Sequence, residues 1–252
     1  STYVLTSMTV DTSQTAWGAK KAINFIQAHA DSSRPWFFNL NWFDPHDPCD
    51  PPEELLNRYL DRLDQIPLPN YLEGELADKP LIEQFYMRDG QGGYGYGEAD
   101  FKHMTDRDHR MIRAAYWAMV DMIDIHVGRI LDALEETKQL NNTLIIFTSD
   151  RGECLGDHGL FLKGDFFYDP VVRVPFIIAW PGGFQEGKEA KTFVELVDIV
   201  PTVLDAVGIE PDHKIHGKSL LPYLTGKADT HRESAISMLA DDRPRKPRKG
   251  KK

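Results

Sequence analysis

The chain is 252 residues long, 41% hydrophobic, with a formal net charge of −10. That length suffices for one large α/β domain with a real core, and no run of about 18 apolar residues offers a membrane-spanning helix. The last ten residues, RPRKPRKGKK, carry seven bases and no acid, leaving 22 bases against 39 acids in a body of charge −17, which is a poor general nucleic-acid binder.

In chain order, residues 12–30 place apolar side chains at Ala16, Ala19, Ala22, Ile23 and Ile26. This predicts a helix with one buried face, capped by Asp11 or Thr12. Trp36 to Trp42 (WFFNLNW) reads as a buried strand. It runs into FDPHDPCDPPEE, a loop stiffened by Pro45, Pro48, Pro51 and Pro52. A stiff loop at a strand end is a good mount for a catalytic side chain, and His46 is the candidate it carries. Residues 53–64 predict a short helix, and 66–98 an irregular stretch of the kind that forms functional loops. Residues 106–140 predict the longest helix, with Ile112, Tyr116, Met119, Ile123, Val127, Ile130 and Leu134 tracing one buried stripe. His126, beside the stripe, reads as a packed or surface residue.

The run Thr143 to Thr148 (TLIIFT) then breaks into Ser149, Asp150, Arg151, Gly152 and Glu153. This reads as a strand of a parallel sheet whose carboxyl end opens on a crevice, where open α/β sheets bind ligands. Val174 to Trp180 predicts a second core strand. Between the two lie Asp150, Glu153, Asp157, His158, Lys163, Asp165, Asp169 and Arg173, more ionisable groups than packing needs. Residues 194–207 predict a helix capped by Asp198 and stopped by Gly208. No signal-peptide pattern opens the chain at Ser1. The two cysteines, Cys49 and Cys154, have no metal-type spacing.

The words SDRGE (149–153), LGDHGLFLKG (155–164) and FFYDPVVRVPFIIAWPG (166–182) occur in order. With WFFNLNWFDPHDP, DMIDIHVGRILDALEE, LVDIVPTVLDAVGIEPD and HGKSLLPYLTG, they resemble the distal half of a sulfatase, a branch of the alkaline-phosphatase-like hydrolases. The resemblance covers roughly residues 15–225. It implies an incomplete α/β fold, a mostly parallel sheet flanked by helices, over residues 1–240; the Pro- and Lys/Arg-rich composition of 241–252 predicts a basic disordered tail. The resemblance also implies hydrolysis of a sulfate ester on a small molecule or glycan. Asp150 falls on a metal aspartate, Lys163 on the sulfate-contacting lysine and His46 on the substrate-contacting histidine. Each residue type suits its role. A carboxylate is a hard ligand for calcium, with magnesium or manganese as alternatives. An ammonium presents a point charge to an anion's oxygen, and an imidazole can bind that oxygen or protonate a leaving alkoxide. Insertions like 66–98 line the substrate mouth in sulfatases, which makes Tyr71, Tyr86, Tyr94 and Tyr96 wall residues or, equally, staples of a surface loop. His158 and Glu153 are expected to fix their loop or, alternatively, to stand behind the ligands of the metal, Arg173 to be structural, and Asp157 and Asp169 to be loop and cap residues. The family's usual location is periplasmic or secreted.

Two departures stand out. Arg151 occupies the position of a second metal ligand, usually Asn or His, and a guanidinium cannot ligate; it would repel the cation or replace part of its charge. The formylglycine nucleophile, made from the cysteine of Cys-x-Pro-x-Arg, has no counterpart here. Cys49-Asp50-Pro51-Pro52-Glu53 has Glu where Arg is needed. The nucleophile is therefore expected in an upstream segment. Two alternatives remain open: a phosphonate or phosphate monoesterase of the same superfamily, and a non-catalytic module binding sulfated glycan through Lys163, Arg151 and the tail.

Overall fold

Residues 7–81, 83–84 and 103–238 are described by the computed structural model. Tyr86, Tyr94, Tyr96 and the basic tail lie outside them. The chain divides into two units, Ser1–Glu186 and Gly187–Lys252.

The first unit is built on helix α3 (Asp106–Glu136). Thr105 and Asp108 close a capping box at its start: the Asp108 amide donates to Thr105 Oγ1 at 3.3 Å and the Thr105 amide to Asp108 Oδ2 at 2.8 Å. The predicted stripe is present but widened by Ala114, Ala115, Ala118, Met122 and His126, all buried. Two neighbours cause the widening. Helix α2 (Glu53–Leu60) packs Leu55 and Leu56 against the first half of α3. Helix α1 (Gln14–Ala28) packs Ile26 against Ala133 and Leu134. His126 is a packed residue, its Nε2 3.0 Å from the Val10 carbonyl.

The cap of α1 is Ser13, not Asp11 or Thr12. Residues Val10–Thr12 tighten into a 3-10 turn. This leaves Ser13 extended, with its hydroxyl accepting from the Ala16 amide at 2.9 Å. Asp11 instead pairs with Arg129 at 2.6 Å.

The segment 36–43 is extended and alternates half-buried with exposed positions. One face lies on α1. Phe25 meets Phe38 and Trp36 at ring distances of 4.9 and 5.6 Å, and Trp42 Nε1 donates to the Thr15 carbonyl at 3.0 Å. Gly18 permits this contact, since a Cβ there would stand 2.7 Å from the Trp42 indole nitrogen. The other face is open, with Phe37 76% and Phe43 53% exposed. Among the described residues this segment joins no ladder, so the expected buried strand is a half-covered extended segment.

Strand β1 (Ile145–Thr148) pairs with β2 (Phe176–Ala179), Ile145 facing Ala179 and Thr148 facing Phe176. The pair is antiparallel, whereas β1 was expected to run parallel to its neighbour. A parallel return needs a crossover helix spanning the sheet. The chain between the strands holds only the one-turn helix α4 (Asp169–Val172) and a folded loop, so β2 comes back along β1. No helix of the described residues is long and apolar enough to cross a membrane.

In the second unit, helix α5 (Ile199–Ala206) begins after a 3-10 turn, Leu196–Asp198. Asp198 stands at the cap position, but its side chain does not cap. It accepts instead from Arg232 Nε at 2.9 Å and Nη2 at 2.5 Å, from the Lys218 amide at 2.7 Å and from the Glu195 amide at 3.1 Å, with His231 Nε2 at 3.0 Å. A fully buried carboxylate must find such partners. Gly208 ends the helix at φ +70°, as expected. Helix α6 (Leu221–Leu224) follows.

Candidate active site

Two loops carry the candidate site, both in the first unit. The first is the proline-rich loop after 36–43. The amide of His46 donates to the Phe43 carbonyl at 3.0 Å, and the two rings stand 4.6 Å apart. Thr15 binds the neighbouring Asp44 carboxylate. The peptide bonds Asp44–Pro45 and Asp47–Pro48 are cis. Cys49 at the loop's end is buried in the core with Leu55 and Met119.

The second loop joins β1 to α4. Its backbone is tied back on itself: Gly152 donates to Val171 O at 2.8 Å, Cys154 to Leu162 O at 3.2 Å and Gly156 to Leu160 O at 2.9 Å. Leu155, His158 and Leu162 adopt positive φ of 47°, 57° and 64°, which L-residues hold only where surrounding contacts demand it. Those contacts are visible. Cys154, Leu160, Phe166 and Val171 form a buried cluster. Asp157 pairs with Arg113 of α3 and accepts from the Asn70 amide at 2.9 Å. His158 stacks on Tyr168 at 4.4 Å and faces Glu75 at 3.4 Å. These groups secure the loop and the 66–80 segment beside it. Arg173 is exposed, and Asp169 opens α4.

The fold brings Lys163 to His46 across 117 residues: Lys163 Nζ donates to His46 Nε2 at 2.7 Å and to Asp47 Oδ1 at 3.1 Å. An ammonium cannot accept, so Nε2 presents its lone pair and the ring hydrogen sits on Nδ1. There it faces the Asp47 carbonyl at 2.7 Å and carboxylate at 3.1 Å. All three side chains are largely enclosed, with 16–25% of their surface exposed. Asp47 was missed in the sequence; its only signal was its place beside His46.

Glu153 lies under this group. Burial pushes its carboxyl up to about 7, against the Leu155 amide and the Lys163 charge, with Asp47 reinforcing the rise. Burial likewise pushes the Cys49 thiol up to about 12, with Glu153 and Asp47 adding to it. Cys49 is a packing residue of the core, as a buried thiol in apolar surroundings usually is.

Asp150 is set apart. Its side chain is 85% exposed, with Ser149 Oγ at 3.4 Å and Arg151 Nε at 3.9 Å. Calcium takes six or more oxygens. No group of three or more His, Cys, Asp or Glu residues able to hold a metal ion occurs among the described residues. Asp150 beside a guanidinium is one ligand at most, and the described residues do not by themselves make a metal centre.

The model of the family described as Sulfatase matches residues 8–209. An arylsulfatase of Clostridium perfringens is 35% identical over 222 residues, covering 87% of this chain and 43% of that protein. An N-acetylglucosamine-6-O-sulfatase of Bacteroides thetaiotaomicron is 36% identical over 166 residues, covering 65% of this chain and 25% of that protein. Among solved structures, a phosphonate monoester hydrolase of Agrobacterium radiobacter aligns with a TM-score of 0.78 at 33% identity, over 91% of this chain and 45% of that one. The chain spans less than half the length of each of these proteins.

Proposed function

The chain belongs to the sulfatase family, and from that premise we propose that it forms the anion-binding and leaving-group side of a sulfuric ester hydrolase. Its fold is the alkaline-phosphatase-like one, seen over part of its span. The observation that carries the proposal is the 2.7 Å contact between Lys163 Nζ and His46 Nε2. A cation and an imidazole converge there in an enclosed place, where a charge interaction is weakly screened.

Lys163 binds a sulfate oxygen and stabilises the charge it gains in the transition state. His46 takes part once the anion has drawn Lys163 off its Nε2 and that nitrogen carries a hydrogen of its own; Nε2–H then binds a second oxygen or passes its proton to the departing alkoxide. Family membership implies a divalent cation and a formylglycine. The former supplies positive charge and the latter the attacking oxygen. Cys-x-Pro-x-Arg does not occur in these 252 residues, and Asp150 with Arg151 does not complete a cation site, so no step is derived through either group. Within this proposal Asp150 is one ligand of calcium, with magnesium or manganese as alternatives, and Arg151 lends its charge to the anion. The substrate class is a sulfated small molecule or glycan, in keeping with the N-acetylglucosamine-6-O-sulfatase relative.

In the protein at its full natural length, Lys163→Ala and His46→Ala should each lower kcat/KM for 4-nitrophenyl sulfate by about 10²–10⁴-fold while leaving the melting temperature within a few degrees. Unchanged turnover rejects the assignments. Chelation followed by restoring each cation identifies the metal, and activity indifferent to chelation removes Asp150 from a ligand role. The second reading, a phosphonate monoester hydrolase, is favoured by the aligned structure; 4-nitrophenyl phenylphosphonate assayed in parallel decides between them.

A further inference from the structure

Among the described residues, Asp47 is the one acid whose contacts with both members of the proposed anion site are seen. Its Oδ1 lies 3.1 Å from Lys163 Nζ and 3.1 Å from His46 Nδ1, and its side chain is only 16% exposed. An anion bound to Lys163 shares that nitrogen with Asp47. Two contacts of about 3 Å on one nitrogen keep the anion's nearest oxygen within about 6 Å of the carboxylate. At that separation, poorly screened, each negative charge on the ligand meets the carboxylate's repulsion once.

We propose that Asp47 is a specificity-determining residue that offsets the Lys163 charge, so that the site accepts singly charged esters and turns away doubly charged ones. Sulfate esters and phosphonate monoesters carry one negative charge, whereas phosphate monoesters carry close to two above pH about 6. The inference rests on the reading that Lys163 contacts the anion, and it adds the charge rule that this contact obeys. It also accounts for a likeness to both sulfatases and a phosphonate monoester hydrolase, whose named substrates share one charge.

The Nδ1 hydrogen of His46 goes to the Asp47 backbone carbonyl at 2.7 Å, so the backbone orients the ring and the Asp47 side chain, 3.1 Å from Nδ1, acts by its charge. The surrounding groups share its field. Glu153 faces both Asp47 and Lys163. Cys49 is a neutral thiol between Glu153, Asp47 and Asp50, and Asp44 lies near Asp50. Arg151 shares the field of Glu153 and Cys49 and adds a second positive charge beside Lys163; Asp47 and Glu153 set two carboxyl groups against these two cations, Asp47 being the one in contact with Lys163.

The test uses the natural-length protein at pH 8 with 4-nitrophenyl sulfate, 4-nitrophenyl phenylphosphonate and 4-nitrophenyl phosphate. Asp47→Asn should raise the phosphate-to-sulfate ratio of kcat/KM by roughly tenfold or more, with the phosphonate ester tracking the sulfate. Asp47→Glu, which keeps the charge, should hold the ratio near wild type. A ratio unchanged in Asp47→Asn, or changed alike in both variants, overturns the proposal.

A measurement on the wild type guards against a variant that does not fold. The inhibition constant of phenyl phosphate, divided by that of phenyl sulfate, should rise as pH crosses the second ionisation of the phosphate. Phenyl sulfate sees the same protein titrations, Glu153 included, so the ratio isolates the ligand's charge. A ratio that is flat or falls overturns the proposal. Wild-type hydrolysis of the sulfate with an unchanged Asp47→Asn ratio rejects the role of Asp47 alone. Failure to hydrolyse any of the three esters rejects the hydrolase reading and this inference together.

Discussion

A methyl group on Gly152 would stand 1.9 Å from the Pro170 carbonyl oxygen, and that carbonyl belongs to backbone, which cannot rotate away. The same glycine donates its amide to Val171 at 2.8 Å. Its place in the SDRGE word is therefore a matter of room: the loop that presents Lys163 leaves β1 by passing directly against α4. Gly152→Ala should move one or the other, at a cost of about 1–3 kcal/mol. It should also lower kcat/KM, because a displacement near an ångström at a positioned group costs on the order of 100-fold. Thermal melts and steady-state rates check both, and a variant with wild-type melting and turnover would show that the loop can give way. At this scale His46 and Lys163 could be proposed from the sequence because each sits in a distinctive word. Asp47 and Gly152 were not, since their roles depend on a neighbour from elsewhere in the chain.

Helix α5 shows what an element requires beyond its own pattern. Its periodicity and its Gly208 stop were readable, and Asp198 fell where a cap belongs. The carboxylate instead joins α5 to residues 218, 231 and 232. Burial alone would push the Asp198 carboxyl up, but the Arg232 guanidinium, the Lys218 amide, the His231 ring and the Glu195 amide outweigh it and hold it well below the ordinary range. A folded-state value below the unfolded one, about 3.9, contributes stability that is present above that pH and lost as pH falls toward the folded value. Asp198→Asn should destabilise by about 3–5 kcal/mol near neutrality, since it leaves Arg232 and His231 without their buried partner. It should also remove much of the acid sensitivity below pH about 4. Denaturant melts of wild type and variant between pH 2 and 7 would measure it, and parallel curves would exclude Asp198 as the source. Strand β1 makes the complementary point. Its existence and polar end were legible, while the direction of its partner was not, because a short apolar run pairs equally well either way.

Over the whole chain, each unit shows apolar surface in the open. The first exposes Phe37 at 76% and Ile177 at 59%, on the unladdered segment and on β2. The second exposes Val200, Val207 and Ile209 at 56–59% along and just after α5. Unpaired extended backbone with such side chains is a template for association. These 252 residues produced alone should bind an apolar dye such as anilinonaphthalene sulfonate and self-associate in light scattering. A monodisperse, dye-silent sample would mean the exposed faces are tolerated.

By itself the sequence determined the long amphipathic helix, the strand breaking at Asp150, the stiff loop carrying His46 and the family to which the words belong. All of these are local patterns, written in spacing of a few residues. Tertiary structure alone decided that Lys163 meets His46 and Asp47 from 117 residues away, that Asp198 clasps rather than caps, and that 36–43 lies half-covered on α1. Each of these is set by where two distant segments come together, and a pairing between distant segments leaves no periodic trace in either.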